Sequence, residues 1–296
     1  MAKKGGLLST ILKIVLGLVA FVLIVCVGGY CYLKYALGID IIDITKKLNL
    51  ISQTPAESQI VTNSFEKQEG EAVLTTMFGE NDIVTKNGDK YVFNLEAFVQ
   101  FDLQSDIKLS DKQVASLYSL FLEGVDPAII GIDKDILDSV SLKQITFSNL
   151  VVTSDATSVD VNYILCTDLT NIKAQATSKN AIMGFVVNKF VPDTLYINST
   201  FNIQLPKDDY QSYTKTNISF VINNLNQQQT NDVLDILSFV SNEDLKESLP
   251  DKLNGMFCDA LFGGNGNRGL MGNIKGVAGI EFLEDVDSIK IFIKKV

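Results

Sequence analysis

Residues Leu109–Phe121 read LSDKQVASLYSLF. Leu109 closes an extended stretch. Ser110 has a side chain that can accept from the first turn of a helix, and Gln113 stands where it can reach back to the Ser110 amide, the spacing of a capping box. Val114, Leu117, Tyr118 and Phe121 then fall on one helical face, and Gly124 is placed to end the helix. The pattern recurs. Leu225, Asn226, Gln229, Val233 and Leu237 repeat Leu109, Ser110, Gln113, Leu117 and Phe121, each 116 positions further on. Two readings fit the repeat: a chain of two related halves, 81–180 and 190–296, or two separate strands that each run into a capped amphipathic helix, since the matched positions are those that helix physics restricts.

Strands surround both junctions. Tyr91, Phe93, Leu95, Ala97, Val99, Phe101 and Leu103 alternate with polar residues after the turn Asn87-Gly88-Asp89, which predicts one long strand with a single buried face. Ile145 and Phe147, then Val159, Val161, Tyr163 and Leu165, predict a hairpin across Ser154-Asp155-Ala156-Thr157. Leu195, Ile197, Phe201 and Ile203 form another strand, answered after Pro206-Lys207-Asp208-Asp209 by Ile218, Phe220 and Ile222, and a last hairpin falls near Ile280–Ile293. Helices are expected from Pro55 to about Gln68 behind Thr54 and Glu57, over Ala181–Phe190, and from Pro250 with Leu253, Phe257 and Leu261 inward. The fold class is α+β, an antiparallel-sheet domain with packed helices.

The N-terminus adds a membrane segment. Ile14–Leu33 reads IVLGLVAFVLIVCVGGYCYL without a charge. At about 1.5 Å per residue it reaches about 30 Å, a bilayer's hydrocarbon core. Lys3, Lys4 and Lys13 precede it, Lys34 closes it, and Tyr30, Tyr32 and Tyr35 gather where rings favour headgroups. The run is longer than the apolar part of a signal peptide, and no A-x-A site follows. The expected organisation is a cytoplasmic tail (1–13), a transmembrane helix (14–35), a membrane-proximal helical linker (36–80) and an extracytoplasmic domain (81–296). Ile41, Ile44, Leu48 and Ile51 give that linker one apolar helical face. Lysines flank the span almost evenly, so the positive-inside rule votes weakly for a cytoplasmic N-terminus.

Composition narrows the chemistry. The 296 residues contain no His and no Trp, with 25 Lys and Arg against 35 Asp and Glu, a net charge of −10. Without His there is no Ser-His-Asp triad, no His-bearing zinc site and no imidazole switch. The acidic surplus argues against nucleic acid, whose phosphates need clustered Lys and Arg. The first 47 residues hold six of the basic and two of the acidic side chains, so the remainder carries −14 and is repelled by anionic lipid. Cys26 and Cys31 lie in the apolar span, whereas Cys166 and Cys258 are compatible with a bond or with two buried thiols. Gly264-Asn265-Gly266-Asn267-Arg268-Gly269 fits GxGxxG, but a helix is expected before it instead of a strand, so it reads as a loop. Asp133, Asp135 and Asp138 lack the Gly and Glu of a calcium loop. Asn198-Ser199-Thr200 and Asn217-Ile218-Ser219 match the glycosylation pattern within expected strands. No catalytic residue, cofactor or metal is expected.

One span, long alternating strands, the L-S-D-x-Q junction and the stretch Val191-Pro192-Asp193-Thr194-Leu195-Tyr196-Ile197 together resemble single-pass envelope proteins of low-GC bacteria. Their outer domain is compared with tubular lipid-binding (TULIP-like) and AsmA-type folds, and the resemblance covers residues 90–225. It implies a long curved sheet wrapped on a helix, with an apolar groove able to hold an acyl chain. Phe93, Val99, Phe101, Val161, Tyr163, Ile197 and Phe201 are the expected lining, although the same residues suit an ordinary core. The functional expectation is a single-pass membrane-anchored envelope protein acting as a non-catalytic scaffold or interaction module, with lipid or apolar-ligand binding as the alternative. Its partners would be membrane lipid through the anchor, then other envelope proteins or a lipid ligand.

Overall fold

The computed structural model describes residues 46, 49–79, 82–88, 90–124, 138–179, 188–189, 191–241, 244–263, 269–286 and 288–296. The apolar run Ile14–Leu33 lies outside them, as do most of the expected linker face, all of Ala181–Phe190 except Asn188 and Lys189, Asp133 and Asp135, and the glycine loop before Gly269. Among the described residues no helix is long and apolar enough to cross a membrane.

The chain is mixed α+β, with antiparallel sheets and packed helices. In chain order the strands are β1 Val84–Asn87, β2 Lys90–Phe93, β3 Ile107–Ser110, β4 Val140–Val152, β5 Ala156–Asp168, β6 Thr194–Pro206, β7 Thr214–Ile222, β8 Val277–Asp285 and β9 Ser288–Lys295. The helices are α1 Glu57–Ile60, α2 Lys67–Phe78, α3 Leu95–Phe98, α4 Asp111–Gly124, α5 Thr170–Lys179, α6 Gln227–Ser241 and α7 Leu245–Phe262. Three sheets form: β1-β2, β3-β9-β8 and β4-β5-β6-β7. In the last, Asp160 meets Asn202 and Asn162 meets Thr200, a register that runs in opposite directions along β5 and β6.

The chain divides into two compact units that interleave along the sequence. The first comprises Met1–Ile60, Cys166–Asn198 and Phe220–Asp251, and the second Val61–Leu165, Ser199–Ser219 and Lys252–Val296. The second unit holds the main hydrophobic cluster. Val73, Leu74, Met77 and Phe78 of α2 and Val114, Leu117, Tyr118 and Phe121 of α4 bury in it, together with Ile291 and Ile293 of β9. In the first unit, Ile51, Leu169, Ile197, Ile222, Val233, Leu234 and Leu249 are buried.

Both capping boxes form. The Gln113 amide donates to Ser110 Oγ (3.3 Å) and the Ser110 amide to Gln113 Oε1 (2.9 Å). In the later copy, the Gln229 amide donates to Asn226 Oδ1 and the Asn226 amide to Gln229 Oε1, both at 2.9 Å.

Three local expectations need correction. The long strand from Tyr91 to Leu103 is β2 alone, followed by α3. Asn94 caps that helix, accepting from the Ala97 amide at 3.0 Å. The ladder with the partner strand β1 ends at Val84 opposite Phe93, and the Asn94 amide closes it on the Ile83 carbonyl (2.7 Å) before the chain turns into α3. Leu95, Ala97, Val99 and Phe101 still pack on the core, and this produced the alternation. The helix expected from Pro55 is the single turn α1, because Thr54 Oγ1 donates to the Thr194 carbonyl (2.8 Å) instead of capping. The longer helix, α2, starts later and carries Gly70, where a Cβ would meet Leu120 Cδ1 at 2.7 Å and Ser116 Oγ at 2.8 Å. Finally, α7 begins at Leu245 with Pro250 inside it. Asp244 starts it, accepting from the Ser248 amide on its carbonyl (3.0 Å), and Pro250 withholds one N–H from the ladder.

Candidate functional site

Six of the seven expected groove residues, all but Ile197, lie in the second unit, in its core or packed against it. Phe93 on β2 is 4% exposed, with its ring 5.3 Å from Phe98 and 5.4 Å from Phe121. Val99 and Phe101 are partly buried beside it, and Phe101 stands 6.1 Å from Phe78. Val161 and Tyr163 on β5 and Phe201 on β6 form a second group. The Tyr163 ring stacks on Phe257 at 4.6 Å and 4° and meets Phe201 edge-on at 6.1 Å, while Tyr118 closes on Phe257 at 5.1 Å. Such ring pairs add roughly 0.5–1.5 kcal/mol each beyond area burial. Ile197 belongs to the first unit and is buried there.

A polar network sits within the Tyr163 group, on residues whose role the sequence reading did not single out. Tyr163 Oη donates to Asn254 Oδ1 (2.9 Å), Ser199 Oγ donates to the same atom (2.8 Å), and Asn254 Nδ2 donates to Asn217 Oδ1 (2.7 Å). Tyr163, Ser199 and Asn254 have no exposed surface. Burial drives the Tyr163 phenol above its ordinary range, Ser199 opposing and Tyr118 and Cys258 adding to the rise. Tyr118 is raised by burial and then by Cys258. The Cys258 thiol is raised by burial, Lys215 opposing and Asp259 adding. Every one of these groups is therefore neutral near pH 7. The network satisfies buried hydroxyls and fixes side-chain positions, and it contains no activated nucleophile.

A second set of amides lies across β4, β5 and β6. Asp160 accepts from Asn149 Nδ2 and Asn202 Nδ2, both at 2.7 Å. Gln144 Nε2 donates to Asn162 Oδ1 (3.2 Å), and Asn162 Nδ2 donates to Thr200 Oγ1 (3.0 Å). Asn149 takes φ 55°, a left-handed conformation that Asn tolerates better than most side chains. On the side of α2 and α4, Lys67 pairs with Glu123, and the Tyr91 phenol is pushed up to about 12 by its hydrogen bond to Glu71, then by burial and the charges of Glu71 and Glu123.

In the first unit, Tyr196 Oη donates to Glu57 Oε2 at 3.3 Å. Burial raises this phenol most, with Cys166 and Glu57 adding to the rise. Asn223, at φ 50°, exchanges backbone and side-chain bonds with Tyr196 (2.9 and 2.8 Å) and donates from Nδ2 to the Ile51 carbonyl (2.7 Å). Cys166 and Cys258 are not joined by a disulfide. Among the described residues no group of three or more Cys, Asp or Glu is placed to hold a metal ion. Asn198 and Asn217 both stand in strands, and Asn217 is engaged by Asn254.

Asn254 and Ser199 carried faint sequence signals. Asn254 follows the inward Leu253 on a helix and precedes Cys258 by one turn, and Ser199 interrupts the inward series Ile197, Phe201 and Ile203. Comparison with protein-family models, curated proteins and solved structures gives no match.

Proposed function

We propose that this chain is a single-pass envelope protein, anchored through Ile14–Leu33, whose outer part is a non-catalytic interaction module. The observation that carries the choice of module over lipid carrier is the packing of the expected groove lining. Phe93, Tyr163 and Phe201 spend their ring faces and edges on Phe98, Phe121 and Phe257. Side chains already in van der Waals contact with one another leave an acyl chain nothing to replace. The neutral, mutually satisfied Tyr163–Asn254–Ser199 network supports the same reading, since general acid–base work needs a group poised near the working pH. The uncharged run supports the anchor, and the acidic remainder suits a module standing off anionic headgroups.

The anchor and its direction are tested together. The full-length protein should stay in the pellet when membranes are washed in alkaline carbonate. Protease added to intact cells should digest everything after the span. Release into the carbonate supernatant, or a protected C-terminal part, would overturn the proposal.

A further inference from the structure

We propose that Thr62–Glu66 is a releasable strap, latched to the rest of the second unit by the buried side chains of Gln144 and Ser116, and that it opens at its Gln144 end while α4 and β5 stay closed.

Gln144 is 4% exposed on β4. Its Oε1 accepts two successive strap amides, Thr62 N at 2.8 Å and Asn63 N at 2.9 Å, and the Thr62 hydroxyl at 3.3 Å. Its Nε2 is committed to Asn162, so the amide cannot flip away without breaking the β4–β5–β6 row. Asn63 Nδ2 adds a bond to Asp111 Oδ2 at 2.9 Å. At the far end, Ser116, fully buried on α4, donates to the Glu66 carbonyl (2.7 Å) and accepts from the Gly70 amide (2.6 Å). Between the latches, Thr62, Ser64 and Glu66 are exposed, and Phe65 alone contributes an apolar contact to the core.

A segment held by polar bonds with little apolar burial opens at low local free energy, while the helices around it wait for global unfolding. The opened latch leaves Gln144 Oε1 and Asp111 without these donors, so the strap is drawn back. Closed and open states differ by a bared stretch of β4 at Gln144 and Ile145.

Amide hydrogen exchange on the full chain in detergent tests the latch. The Thr62 and Asn63 amides should exchange at least tenfold faster than buried amides of α4 and β5, with little dependence on denaturant. Gln144→Leu should speed them a further tenfold or more, and the α4 and β5 amides should be unmoved. If Gln144→Leu fails to fold, Asn63→Ala should speed the same two amides through loss of the Asp111 bond. The proposal is overturned if the strap amides share the rate and denaturant slope of α4 and β5, or if neither variant changes them.

Discussion

The two compact units bury different material. The second is knit by rings: Phe78, Phe93, Phe98, Phe101 and Phe121 on one side, Tyr118, Tyr163, Phe201 and Phe257 on the other. Its fully buried Asn254 serves side-chain hydroxyls. The first buries chiefly Leu, Ile and Val, and its hub, Asn223, serves backbone at Tyr196 and Ile51. Truncating a ring is costly because a large flat side chain leaves a large cavity. An aliphatic interior pinned by one left-handed Asn is more sensitive to backbone geometry than to any single methyl group.

That contrast can be broken by substitution. Phe257→Ala removes three ring contacts at once and should cost about 3–5 kcal/mol of the second unit's stability. Denaturant unfolding followed by hydrogen exchange in β5 measures it, and a loss under about 1 kcal/mol would mean the ring cluster is loosely packed. Asn254→Leu strands the Tyr163 hydroxyl and leaves Ser199 Oγ only its longer bond to the Ser219 carbonyl (3.4 Å), and should cost about 2–3 kcal/mol in the same assay, with Tyr163→Phe in that background recovering part of it. Asn223→Ala should destabilise the first unit by about 2 kcal/mol, since it loses both side-chain bonds at a positive φ. Asn223→Gly, free of the φ penalty, should be milder; equal losses would place the whole effect in the hydrogen bonds. The capping boxes predict the smallest and most even effect. Ser110→Ala and Asn226→Ala should each cost about 1 kcal/mol, one in each unit, read as faster exchange in the first turns of α4 and α6.

What the sequence made legible was local. Ser110 with Gln113 and Asn226 with Gln229 announce their helices because a cap needs only nearby residues of fixed type. The hairpins β4-β5 and β8-β9 follow from alternation bounded by turns. The strand after Tyr91 misled because apolar alternation is not unique to strands: the α3 turn and the loop after it pack Leu95, Ala97, Val99 and Phe101 partly buried on the core, with the out-of-phase Phe98 fully buried among them. Helix α2 hid behind Gly70, a poor helix former on propensity, whose value is the close approach of α4. The aromatic lining was named from β2, β5 and β6, but its partner Phe257 comes from a distant helix. Whether facing apolar surfaces enclose a space or fill it depends on that long-range pairing.

Photo-crosslinking with a diazirine-bearing fatty acid in native membranes, followed by peptide mapping of the full-length chain, tests both halves of the proposed function at once. A closed, anchored module takes label within residues 14–35 and nowhere else. Label on peptides carrying Phe93, Tyr163 or Phe201 would contradict the filled interior, and an unlabelled 14–35 segment would contradict the anchor.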